Sequence, residues 1–142
     1  MACPYFIPEH RCDAELWQHR ARLPLGDGFV GFCCAQETPY RPTHDELREL
    51  CNIGYAKSCP RLPRDRDADS VRFMGRTSDG FVAIKYLLER GHAPVSDGEL
   101  RYDPASARWS TSHPDQRVQK KAQCYLESYL ARHPAAARAT AK

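Results

Sequence analysis

The stretch CNIGYAKSCPRLP, residues 51–63, most restricts what this chain can build. Cys51 lies in an amphipathic helical run, and Cys59 is followed at once by proline. Five further cysteines stand at positions 3, 12, 33, 34 and 124. Seven is an odd number, so complete internal disulfide pairing is impossible. The opening MACPYFIPEHR has no basic segment followed by an apolar one, which argues against a secretory signal. Cys3 also lacks the apolar segment that precedes a lipoprotein cysteine. No run of about 18 apolar residues reads as a membrane span. The expected compartment is therefore the cytoplasm, where thiols stay reduced and serve as metal ligands, reactive groups or packing.

The chain has 142 residues, enough for one domain with a real core, expected over 1–134 with a flexible tail at 135–142. Its net charge of +3 comes from basic residues spread among acidic ones, so there is no clear nucleic-acid signal. The expected partner is a redox or regulatory protein of unknown identity, and oligomeric state is not legible.

Residues 1–42 are rich in proline, glycine and cysteine and read as irregular, with one short strand near Phe29–Cys34 and a weak helix over Asp13–Arg22. Thr43-His44-Asp45-Glu46 matches a capping box. Leu47, Leu50, Cys51 and Tyr55 follow at helical spacing, which points Cys51 inward, and Pro60 stops the helix. PRLPRDRDADS reads as a solvated charged loop. The period then becomes two: Val71, Phe73 and Gly75 alternate with Arg72, Met74 and Arg76. TSDG turns the chain into FVAIKYLLE, apolar on both faces and so placed centrally. GHAPVSDG reads as a loop, and GELRYDPASARWS as a hairpin about Asp103–Ser106. Pro114 and Asp115 open a long helix with a stripe of Val118, Ala122, Tyr125 and Tyr129, while Arg117, Lys120 and Lys121 are expected to face water. The expected class is α+β: an antiparallel sheet of three to four strands, a central helix, a long C-terminal helix and an irregular N-terminal region.

Two motifs mislead. Gly26-Asp27-Gly28-Phe29-Val30-Gly31 fits G-x-G-x-x-G, but no helix follows to point its amides at a pyrophosphate, so a turn entering a strand is the better reading. Val82-Ala83-Ile84-Lys85 fits a kinase strand, but the chain has neither H-R-D nor D-F-G, and Lys85 reads as exposed. No enzyme signature emerges.

The cysteines carry the remaining signal. Cys3 and Cys59 each precede proline, which fixes the backbone beside a ligand. Cys33 and Cys34 are adjacent, and on a strand only one can face a given site. That leaves Cys3, one of the vicinal pair, Cys51 and Cys59 as a set of four. Four thiolates suit zinc or an iron–sulfur cluster such as [4Fe–4S]. The chain has no C-x-x-C, the usual zinc knuckle. On one continuous helix the Cα atoms of Cys51 and Cys59 would stand roughly 12 Å apart, so the helix must break near Gly54 or Ser58 for both sulfurs to converge. The wider cluster is favoured over zinc, whose Zn–S bonds are about 2.3 Å. A structural zinc scaffold and a metal-free thiol redox protein are the alternatives, and buried cysteine as simple packing stands beside them. Cys124 reads as packing and Cys12 has no assigned role. Most histidines read as surface residues, with His10 or His92 the candidates for a replacement ligand. Phe6, Trp17 and Tyr55 are candidates for an apolar shell around the site.

CPYFIP at 3–8, PLGDGFVGFCCA at 24–35, CNIGYAKSCPRLP at 51–63 and DSVRF at 69–73 together resemble a group of small bacterial cysteine proteins with no known activity. The resemblance is strongest over the first half of the chain. It implies a four-cysteine site at Cys3, Cys33, Cys51 and Cys59, choosing Cys33 over Cys34, and names no substrate.

Overall fold

A computed structural model describes residues 2–12, 17, 19–53 and 59–134. The fold is α+β, with two antiparallel sheets in place of the single sheet expected. Strand β1 (Phe6–Arg11) pairs with β2 (Phe29–Cys33). Helix α1 (His44–Glu46) runs directly into a wider π turn at Leu47–Cys51. Strands β3 (Ser70–Ser78), β4 (Phe81–Arg90), β5 (Ala93–Asp103) and β6 (Arg108–Thr111) form a meander in that order, and α2 (Gln116–Arg132) closes the described chain. Among the described residues, no helix is long and apolar enough to cross a membrane.

The meander follows from its turns. Asp79 and Gly80 both adopt positive φ (50° and 81°), as do Gly91 and His92 (58° and 66°). That is the two-residue turn whose twist matches paired strands. The segment GHAPVSDG, expected to be a loop, is therefore a tight turn and the first half of β5. Its proline conceals the strand. Pro94 sits where the β4–β5 register shifts, a place where a missing N–H is tolerated. β4 lies between β3 and β5 and buries Val82, Ala83 and Ile84 consecutively, while Lys85 is exposed.

The amino-terminal region is more ordered than its composition implies. β1 runs through Pro8, with a register shift between Pro8 and His10. A Cβ on Gly31 would meet the Ile7 carbonyl oxygen, so this glycine permits β1 and β2 to approach. The G-x-G-x-x-G stretch is thus a turn and a strand, with no helix behind it. Of the helix expected over Asp13–Arg22, residues 13–16 and 18 lie outside the described residues. Arg20–Arg22 form a single 3₁₀ turn. Asp27 is buried and holds Arg20 at 2.7 Å and Arg11 at 3.4 Å. The acidic run also differs from expectation at its end: Asp69 is buried and accepts the Gly91 N–H at 2.9 Å.

Helix α2 joins the two halves. The Asp115 carboxylate accepts the Arg117 N–H at 2.9 Å and caps its first turn. Ala122 and Leu126 enter the core of the four-stranded sheet with Val82, Ile84 and Leu100. Cys124 enters the other core with Phe6, Leu25, Phe29, Leu47 and Val71. Lys121, expected in water, is completely buried. Its position explains this: 118, 121 or 122, 125 and 129 form the buried stripe, so Lys121 shares the stripe with Ala122.

Burial pushes the Cys124 thiol up to about 12, against an ordinary value of 9.0. The fold therefore stabilises the neutral thiol. That contribution is complete below pH 9 and is lost as pH rises toward 12. Urea denaturation of wild type and Cys124→Ala should show wild type ahead by about 1 kcal/mol at pH 7. The difference should fall by about 1.4 kcal/mol per pH unit above pH 9, so that the lead is lost within about one unit and Cys124→Ala becomes the more stable protein beyond it. A constant difference across that range would mean the thiol is not held neutral.

Candidate metal centre

Four separate segments bring Cys3, Cys33, Cys51 and Cys59 into one neighbourhood. Ala2 bridges to the outer edge of β3 through Val71, with bonds of 2.8 and 2.9 Å. The next N–H, of Cys3, donates to the Cys51 carbonyl at 3.2 Å. The amino-terminal residues are thus laid between β3 and the end of the π turn. Cys33 ends β2 and bridges to Tyr40 in both directions, at 2.7 and 3.0 Å, closing the 34–39 loop. The Cys59 carbonyl accepts the Leu62 N–H in a turn at 3.3 Å. The helix break expected near Gly54 or Ser58, and Tyr55, lie outside the described residues.

Asn52 fixes the relation between Cys51 and β2. Its side chain is fully buried. The Oδ1 atom accepts the Phe29 N–H at 3.0 Å, and Nδ2 donates to the carbonyls of Phe29 and Leu47 at 3.1 and 3.0 Å. The amide imitates a strand neighbour for Phe29 and closes the π turn at the same time. Its own N–H reaches the Leu47 carbonyl at 3.1 Å. Above it the capping box forms as the sequence indicates, with Thr43 and Glu46 bonded reciprocally. Glu46 also accepts the Tyr40 hydroxyl at 2.5 Å. The Arg61 guanidinium lies 3.3 Å from the Tyr40 ring centre. Tyr40 therefore ties the loop after Cys33 to both the helix and the segment carrying Cys59.

The thiols sense one another. Cys51 is raised well above its ordinary value, first by burial and then by the charges of Cys3, Cys33 and Cys59. Cys3 is pushed up to about 11, mainly by burial, with opposing help from the Tyr5 and Phe6 amides and Lys121. Cys33 is also raised, by burial first and by Cys59 and Cys34, against the Ala35 amide and Arg61. The Cys34 thiol instead donates to the Tyr5 carbonyl at 3.1 Å. Among the described residues, no three His, Cys, Asp or Glu side chains stand in the geometry of a single bound ion. Holding a metal here therefore requires the thiols to close inward and lose their protons.

The buried Lys121 belongs to this neighbourhood. Its Nζ donates to the Pro4 carbonyl at 2.8 Å and the Arg117 carbonyl at 3.0 Å. Burial lowers it to about 8, offset by the charges of Cys3 and Cys34. Phe6, expected in the apolar shell, shares a core with Cys3 and Cys51. Trp17 packs its ring over Gly28 and lies within cation–π range of Arg20. Cys12 is buried, and its N–H donates to the Gly28 carbonyl at 2.8 Å. His10 is exposed on β1 and His92 in the β4–β5 turn. Lys121 and Asn52 escape the sequence reading, and of these only Lys121 carries a signal, its place on the apolar stripe; Arg61 is legible as a cation two residues from Cys59.

Comparison with family models, with curated proteins and with solved structures finds no match to this chain. The chemistry must therefore be argued from the site itself.

Replacing Asn52 by alanine removes the side-chain partners of the Phe29 N–H and carbonyl in the interior, while the Leu47 carbonyl keeps the backbone N–H of residue 52. Asn52→Ala should cost about 3 kcal/mol in a denaturation curve. A loss below about 1 kcal/mol would mean the amide does not clamp β2 to the π turn.

Proposed function

We propose that this chain is a small metal-binding protein that holds an iron–sulfur cluster through Cys3, Cys33, Cys51 and Cys59. Its role on this reading is electron transfer, redox sensing or structure. What supports the proposal is that segments far apart in sequence meet around Cys51: the Cys3 N–H bonds its carbonyl, and Cys3, Cys33 and Cys59 are the charged neighbours that, after burial, raise its thiol. Packing alone gives no reason for three other thiols to gather about Cys51.

Lys121 supports the same reading. A buried ammonium group ordinarily finds a carboxylate. The hydrogen bonds of Lys121 go to two carbonyl oxygens, and among the charges that favour its protonated form Cys3 comes first. Four thiolates make a cluster site net negative, so Lys121 on one side and Arg61 on the other are suited as counter-charges. Such a group supplies one-electron chemistry when bound. Phe6 and Leu47 would exclude water, since both are nearly inaccessible. Cys59, only half-buried, would give a partner its approach.

Two experiments test this. Protein purified without oxygen and without a metal-affinity step should contain iron with matching sulfide. Its visible band should bleach with dithionite. Cys3→Ser, Cys33→Ser, Cys51→Ser and Cys59→Ser should each lose the iron, while Cys12→Ser and Cys124→Ser keep it. Zinc alone would replace the cluster with a structural scaffold, and stoichiometric iron in every ligand variant would sink the site.

Lys121→Met separates a counter-charge from a structural bolt. The substitution removes a buried charge, so the metal-free variant should be within about 1 kcal/mol of wild type or more stable. Its iron content should nevertheless fall. Equal loss of stability and iron would make Lys121 structural only.

A further inference from the structure

A second site lies away from the cysteines. A cavity of about 430 Å³ opens between the C-terminal turns of α2, the outer edge of β3 and the 21–26 segment. That is within the range of small-ligand pockets. Its walls include Phe73, Tyr125 and Tyr129, and Arg22 and Arg132 stand at it. Among the described residues lining it there is no Asp or Glu. From rings, guanidinium groups and absent carboxylates we infer that this cavity binds a planar aromatic anion of mononucleotide size.

The rings are held in place. Alternation along β3 puts Gly75 where an inward side chain would otherwise fill the space. A Cβ there would come within 2.8 Å of the Tyr129 ring and 3.2 Å of the Tyr125 ring. The bare backbone lets both rings lie against the strand. Tyr125 accepts the Gly75 N–H at 3.1 Å, and the Tyr129 hydroxyl pairs with Thr77 Oγ1 at 2.9 Å. Phe73 and Tyr125 stand 5.7 Å apart, and His133 meets Tyr129 edge-on at 4.0 Å. With both hydroxyls bonded to β3 and one side of the rings against Gly75, the ring surface that lines the cavity is what remains for a guest. A flat ring stacks on such surfaces irrespective of its sequence of heteroatoms.

The C-terminus of α2 is the negative end of its dipole and disfavours an anion. Two of its last carbonyls, of Tyr129 and Leu130, are already satisfied by the His133 N–H. The nearby carboxylate of Asp27 is engaged by Arg11 and Arg20. Arg132 donates to the Gly26 carbonyl through one nitrogen only, leaving further donors of its planar fork. Arg22 is exposed beside it. The guanidinium pair therefore sets the sign of the site.

Adenosine 5′-monophosphate is a suitable probe, with adenosine and inorganic phosphate as the two halves of its chemistry. Titration followed by amide chemical shifts should place the nucleotide at Gly75, Tyr125 and Tyr129, with Kd on the order of 0.1–1 mM. Adenosine and phosphate should each bind at least about tenfold more weakly. Arg22→Glu, at an exposed position, should raise the nucleotide Kd about tenfold with an unchanged melting temperature. Tyr129→Leu should weaken adenosine and nucleotide alike. Absence of saturable binding, equal binding of nucleotide and adenosine, or indifference to Arg22→Glu would each overturn the assignment. None of these outcomes depends on the metal content.

Discussion

A buried ammonium group on the helix that joins the two cores ties the ends of this chain together. Lys121 reaches from the middle of α2 to the Pro4 carbonyl, spanning nearly the whole sequence in one hydrogen bond. The same helix places Ala122 and Leu126 in one core and Cys124 in the other. Pro4 lies between Cys3, which is bonded to the π turn, and Tyr5, whose carbonyl receives Cys34. Through that contact the helix holds the amino-terminal segment that carries Cys3. A charge without a carboxylate in the interior costs stability. It is retained most economically where anionic ligands are expected, which is why the lysine and the thiols are best explained together.

The cysteine region is built by tethers rather than by regular structure. Asn52 acts as a strand neighbour to Phe29, Tyr40 links the β2 end to Glu46 and Arg61, and Ala2 extends the edge of β3. Each tether is local, but each holds a different thiol-bearing segment. Such a frame suits ligands that converge from far apart in sequence, because no single knuckle has to supply two of them. The raised thiols are the consequence: burial first, and then the neighbouring thiols, make Cys3, Cys33 and Cys51 harder to ionise. A bound cation reverses that balance.

The four-stranded meander is a different sort of structure. Its strands are fixed by two-residue turns and by burial on the α2 side. It provides the platform against which α2 lies, and at Gly75 it leaves a gap that the helix's tyrosines line without closing. The two candidate sites thus lie at different levels along one helix: thiols toward the amino-terminal core, aromatic rings and guanidinium groups toward its C-terminal end.

Local signals in the sequence were sufficient for the α+β class, the capping box at Thr43–Glu46, the β3–β4 hairpin, the central place of β4 and the span of α2. Each depends on nearest neighbours: an N-cap, a turn, an alternation or a helical stripe. Cys51 read as inward for the same reason. What failed was what local chemistry hides. Pro94 masked the start of β5 because its missing N–H matters only relative to the register shift with β4. Pro8 similarly masks β1, whose partner residues lie 18 to 27 positions away. Lys121 was read from its charge, although its phase on α2 put it inside. Only the tertiary structure decided that, because a buried charge is set by the carbonyls and thiols that surround it, and these come from the other end of the chain.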